Sequence, residues 1–111
     1  MTDPATLLAL AERCEQAAGV DQKAVMLAVV DALGLPSDQH YRAVRMIEIG
    51  AYESAAVTLV PEGCGYDLGK HLLGGTWAGV TMRDHNEIET SAATAALALC
   101  AAALRARAAM G

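Results

Sequence analysis

The chain has 111 residues, space for one domain of ordinary size and not for two. Hydrophobic residues make up 54% of it, but 24 residues are alanine, phenylalanine is absent, and Trp77, Tyr41, Tyr52 and Tyr66 are the only aromatics, so the core must be thin and closely packed. Thirteen acidic against eight basic residues give a formal charge of −5, which discourages direct binding to nucleic acid, because phosphate contacts require Lys and Arg.

The first helix is signalled by Asp3 as cap, Pro4 at the first helical position and Gly19 to close the end. Leu7, Leu10, Ala11, Cys14, Ala17 and Ala18 follow the three/four spacing of one buried stripe. A second helix begins at Asp21, with Val20 and Val25 placed for a hydrophobic staple and Val25, Ala28, Val29 and Ala32 as its inner stripe. Gly34 and Pro36 stop it, and the short connection makes the two helices a hairpin. Residues 37–53 read as a helix capped by Ser37, in which Tyr41, Val44 and Ile47 share a face, although Val44–Ile49 is also rich in branched residues that suit extended structure. Ser54 opens a short helix, Ala55–Val60, ended by Pro61, because the residue before proline avoids helical geometry.

From Gly65 the period changes to alternation. Tyr66 and Leu68 point one way, Asp67 and Gly69 the other; after a turn at Gly74–Gly75, Trp77, Gly79 and Thr81 oppose Ala78, Val80 and Met82. A polar loop, Arg83–Glu87, leads to a short third strand, Ile88–Ser91. Thr94 then caps a final helix, Ala95 to about Ala109, with Leu97, Cys100, Ala101, Leu104 and Ala108 as its inner row. The expected class is α+β, a helix/sheet/helix sandwich around a small antiparallel sheet of about three strands in one domain, residues 1–111, with helices on both faces of the sheet.

Cys14, Cys64 and Cys100 are an odd number with no Cys-x-x-Cys pair, and read as small hydrophobes of a reducing cell. The Leu-rich start is broken by Glu12, Arg13 and Glu15, unlike a signal peptide. The run Ala92–Leu104, closed by Arg105 and Arg107, is too short to cross a bilayer. The expectation is a cytoplasmic protein with no membrane association.

Two segments, Tyr52-Glu53-Ser54-Ala55-Ala56-Val57-Thr58-Leu59-Val60-Pro61-Glu62-Gly63 and the alanine-rich stretch from Ala92 to Arg107, resemble the phage and prophage ABA-sandwich family of small proteins. The opening Leu7-Leu8-Ala9-Leu10-Ala11-Glu12-Arg13-Cys14-Glu15 and Gly19-Val20-Asp21 look like the start of the same family. The resemblance covers about half of the chain and implies an α/β/α sandwich around an antiparallel sheet, with no established activity and no catalytic residues to carry over. The chain departs from it at Cys64 and Ala95, where relatives tend to have tryptophan and proline, and residues 35–50 lie outside it.

Chemistry-bearing residues are sparse. Cys64, His71, Asp84, His85 and Glu87 are the candidate metal ligands, but an extended strand at about 3.3 Å per residue holds Cys64 and His71 roughly 20 Å apart. Asp84-His85-Asn86-Glu87 reads as a solvated turn. There is no Gly-x-Ser-x-Gly element, and neither Gly63-x-Gly65 nor Gly74-Gly75 is followed by the Lys-Ser/Thr of a phosphate loop. No cofactor, no metal and no enzymatic activity are expected.

The favoured function is a small non-enzymatic phage or prophage accessory protein that binds a host or phage protein, with inhibition of a host defence system, of the anti-CRISPR kind, as a specific form. The alternatives are a minor virion or assembly component, which would co-purify with phage particles, and an enzyme built around His71 or the Asp84–Glu87 loop. The candidate interaction surface is Tyr41, Arg42, Arg45, Glu48, Tyr52, Asp67, Trp77, Asp84 and Glu87; for Trp77 the competing reading is core filling. The sheet's two edges and the apolar strip Leu97, Leu104 and Ala108 also allow a homodimer.

Overall fold

A computed structural model describes residues 2–111. Within them the elements run α1 (Pro4–Gln16), a 3₁₀ turn (Gly19–Asp21), α2 (Gln22–Leu33), α3 (Ser37–Glu48), α4 (Tyr52–Leu59), β1 (Gly65–Lys70), β2 (Thr76–Thr81), β3 (Glu87–Ala92) and α5 (Ala95–Met110). The class is α+β, as the sequence implies, with a three-stranded antiparallel sheet packed against helices; helices were expected on both faces of the sheet, but they pack on one only.

At the start of α1 the Asp3 carboxylate accepts from the Thr6 amide at 2.8 Å, and this hydrogen bond holds its pKa below the usual carboxylate value. Gly19 does not close the helix. The chain leaves helical geometry at Ala17, which is extended, and Gly19 instead enters the 3₁₀ turn. Val20 is 90% exposed and forms no staple with Val25, and Asp21 makes no side-chain cap bond. α2 is fixed by a wider stripe, Val25, Met26, Val29 and Val30, and by Gly34, whose φ of 61° gives the left-handed cap.

α3 buries Ala43 and Ile47, whereas Tyr41 is 65% exposed. The expectation that Tyr41 and Ile47 share a face fails because six residues at 3.6 per turn leave them about 120° apart. Ser37 lies inside α3 and caps nothing, Pro36 occupying the cap position. α4 starts at Tyr52, two residues before the expected Ser54, and ends with extended Val60 ahead of Pro61.

The strands form a meander in the order β1-β2-β3, in which Tyr66 pairs with Val80 and Val80 with Ile88. Leu68, Ala78, Val80, Ile88 and Ala92 face the core. α5 lies directly beneath them and packs on its remaining sides against α1 and α4, so the middle layer is α5 rather than the sheet. Every residue from Ala96 to Leu104 is buried. One inner row was expected; a helix covered all round has no outer row, and its alanines let the neighbouring elements approach closely.

Side chains tie α5 to α1, α2, α4 and β3. The Thr90 hydroxyl donates to the Ala98 carbonyl at 2.6 Å. Thr94 caps the Leu97 amide at 3.1 Å and donates to Gln22 Oε1 at 2.7 Å. Arg105 forms a two-pronged ion pair with Glu15, with bonds of 2.6 and 2.9 Å, which raises the Arg105 pKa. Arg107 donates through Nε and Nη2 to the Leu59 carbonyl, at 3.1 and 2.9 Å. No described helix is long and apolar enough to cross a membrane.

Candidate interaction surface

The residues singled out in the sequence fall on separate surfaces. Tyr41, Arg42, Arg45 and Glu48 lie on α3, which packs on α2 and α4, while the sheet packs on α5. Arg42 pairs with Asp38 at 3.2 Å and Arg45 with Glu48 at 4.0 Å, so the charges on this helix are largely matched within it. Tyr52 is half-buried at the start of α4 and packs against the core. Asp84 sits in the β2–β3 turn, where its carboxylate accepts from the Asn86 amide at 3.1 Å and from Asn86 Nδ2 at 2.9 Å. That local bonding supports the positive φ of 69° at His85 and makes Asp84 a turn residue.

Asp67, Trp77 and Glu87 come together on the face of the sheet that turns away from α5. The register builds this face in rows across the strands: Gly65, Thr81 and Glu87; Asp67, Gly79 and Glu89; Gly69, Trp77 and Ser91. No described helix covers it, and Asp67, Glu87, Glu89 and Ser91 are all exposed. Trp77 is half-buried but lies outside the core cluster, its indole over Gly69, where a Cβ would come within 2.3 Å of the ring. Glu87 leans over Gly79: a Cβ there would stand 2.7 Å from Glu87 Oε1. Among the described residues none of the three carboxylates forms an ion pair. At one end His71 Nε2 and Ser91 Oγ share a 3.0 Å hydrogen bond.

Six residues of this face were not singled out from the sequence, of which Glu89, Gly69 and Gly79 shape it. The alternation Glu87-Ile88-Glu89-Thr90 marks Glu89 as a partner of Glu87 on one face of β3. The glycines acquire meaning only through the cross-strand register, which sets each beside a large side chain.

Elsewhere the arrangement offers little chemistry. A cavity of about 560 Å³ opens between Pro4 and Leu7 of α1, Leu33, Pro61 and Met110. Its two charged side chains are engaged, Asp3 in the helix cap and Arg107 with the Leu59 carbonyl. Burial lowers the Arg107 pKa from the ordinary guanidinium value. Cys14 and Cys100 are wholly buried, and burial pushes the Cys14 thiol up to about 12 and the Cys100 thiol higher still, so neither is a nucleophile at neutral pH. No group of three or more His, Cys, Asp or Glu able to hold a metal occurs among the described residues. Leu97 and Leu104 are buried within the chain, so the apolar strip that allowed a homodimer is already covered.

No protein-family model matches the chain, and neither a curated protein nor a solved structure matches it.

Proposed function

We propose that the chain is a small non-enzymatic accessory protein of a phage or prophage, acting in the cytoplasm of the bacterial host by binding another protein through the open face of its sheet. The observation that carries the binding role is the face itself: a sheet surface left uncovered by the helices, with a half-buried tryptophan on it and three carboxylates that form no ion pair among the described residues. Tryptophan is prominent among the residues that dominate protein interfaces, because it offers a large contact area at a small cost in conformational entropy. The phage setting rests on the resemblance of Tyr52–Gly63 and Ala92–Arg107 to the ABA-sandwich family. Antagonism of a host defence system is the specific form proposed, since an acidic surface competes for protein sites that otherwise hold nucleic acid.

The binding role is tested by comparing the unaltered chain with a Trp77→Ala, Glu89→Lys double variant as bait in host lysate. The expected result is a partner retained by the first and released by the second. Identical recovery by both, or none by either, refutes binding through this face. The defence role is tested by plating: expression of the chain raises plating of a targeted phage on defended cells and leaves it unchanged on cells without the defence. Equal plating with and without the chain on defended cells rejects it.

A further inference from the structure

The outer sheet face has a shape and a charge that narrow what it accepts. The cavities lined by Gln22 and Thr94, by Leu7 and Met110, by Gln39 and Arg107, and by Arg13 and Asp21 all lie off this face, which presents a broad surface. Asp67 and Glu89 stand on either side of Gly79, on strands two apart, which separates their Cα atoms by roughly 9–10 Å, and Glu87 leans between them. Carboxylates this close repel one another, and a positive group placed against Glu87 between the other two relieves that repulsion. One row along the sheet, about 7 Å away by strand geometry, comes Trp77, whose ring attracts cations. A second copy of the chain would bring a face of the same negative sign, and nucleic acid would bring phosphates; both are disfavoured.

We infer that this face docks an extended segment of another protein carrying arginine or lysine at alternate positions, one basic side chain against the Glu87 carboxylate that lies over Gly79, between Asp67 and Glu89, and the next against Trp77. The spacing follows because alternate side chains of an extended segment lie about 7 Å apart, the same as the rows of the sheet. This rests on the reading of the face as a partner-binding surface and adds the chemistry of the partner.

The probe is a peptide of alternating arginine and glycine, titrated at low ionic strength into the purified chain. Trp77, as the single tryptophan, reports binding through its emission, and calorimetry gives the affinity. Two double variants remove the same amount of charge: Asp67→Asn with Glu89→Gln on the face, and Glu12→Gln with Glu53→Gln on exposed positions of α1 and α4. The expected outcome is a loss of affinity of about tenfold for the first and under about twofold for the second. Equal weakening by both pairs shows attraction by net charge alone and overturns the inference, as does absence of binding by the unaltered chain. Either failure leaves the binding role itself to be decided by the bait comparison, which uses no basic peptide.

Discussion

Helix α5 and the outer face of the sheet lie on opposite sides of a single strand layer and are built from opposite materials. From Ala96 to Leu104 the helix exposes almost nothing and packs against helices on one side and strands on the other. The outer face, one residue away along each strand, shows Asp67, Glu87 and Glu89 to water and keeps three glycines where side chains would fill the surface. Stability in this small chain therefore concentrates in α5, and the face carries groups that contribute little to folding. The contrast sets an order for substitutions.

Leu99→Ala leaves a cavity in the centre of α5 and is expected to cost about 3–4 kcal/mol in urea unfolding. A cost below about 1 kcal/mol would remove α5 from its central place. The buried thiols, Cys14 on α1 and Cys100 on α5, give this core a pH signature. The folded-state pKa of Cys14 is raised by burial from 9.0 to about 12, so the folded chain holds a proton that the unfolded chain releases. The contribution is present in full below pH 9 and is lost as pH rises towards 12. A Cys14→Ala, Cys100→Ala variant should show a shallower fall in urea midpoint above pH 9 than the unaltered chain; equal slopes reject the thiols as the cause.

Where the two regions meet the strands, effects are intermediate. Gly69→Ala drives a Cβ into the indole of Trp77, costs about 1–2 kcal/mol and shifts the emission to the red as the ring lifts off the sheet. An unchanged spectrum would mean that the ring does not rest on Gly69. Thr90→Val removes the hydroxyl bond to the Ala98 carbonyl and should cost about 1 kcal/mol, read from the same urea curves. The smallest effect belongs to the face: Asp67→Asn or Glu89→Gln should change stability by less than about 0.5 kcal/mol, in the stabilising direction if repulsion dominates. Destabilisation comparable to Leu99→Ala would mean that these carboxylates hold the fold together.

The parts legible in the sequence are those whose causes are local. Asp3 and Pro4 announced α1, Pro61 ended α4, and Thr94 capped α5, because each acts within one turn of its own position. The alternation after Gly65 showed which residues of β1 and β2 share a side. Features that depend on what approaches from elsewhere were less legible. Val20, suited to a staple by spacing, points into solvent, and Tyr41 stands off the buried face of α3. Of the proposed surface, Asp67, Trp77 and Glu87 share a face, whereas Asp84 serves a turn and the α3 residues lie on another surface. The alternation of β3 marks Glu89 as a neighbour of Glu87, but its place across Gly79 from Asp67 came only with the strand pairing.

The amino-acid order by itself determined the helices and strands to within a few residues, the antiparallel meander and the α+β class. Tertiary structure decided which layer is the middle one and which side of the sheet stays open. The reason lies in β2, where Ala78 and Val80 on one side and Trp77 and Gly79 on the other are both apolar. Periodicity marks each side as able to be covered. Only the acids that β1 and β3 bring to one of them through the register make that side the one left to water.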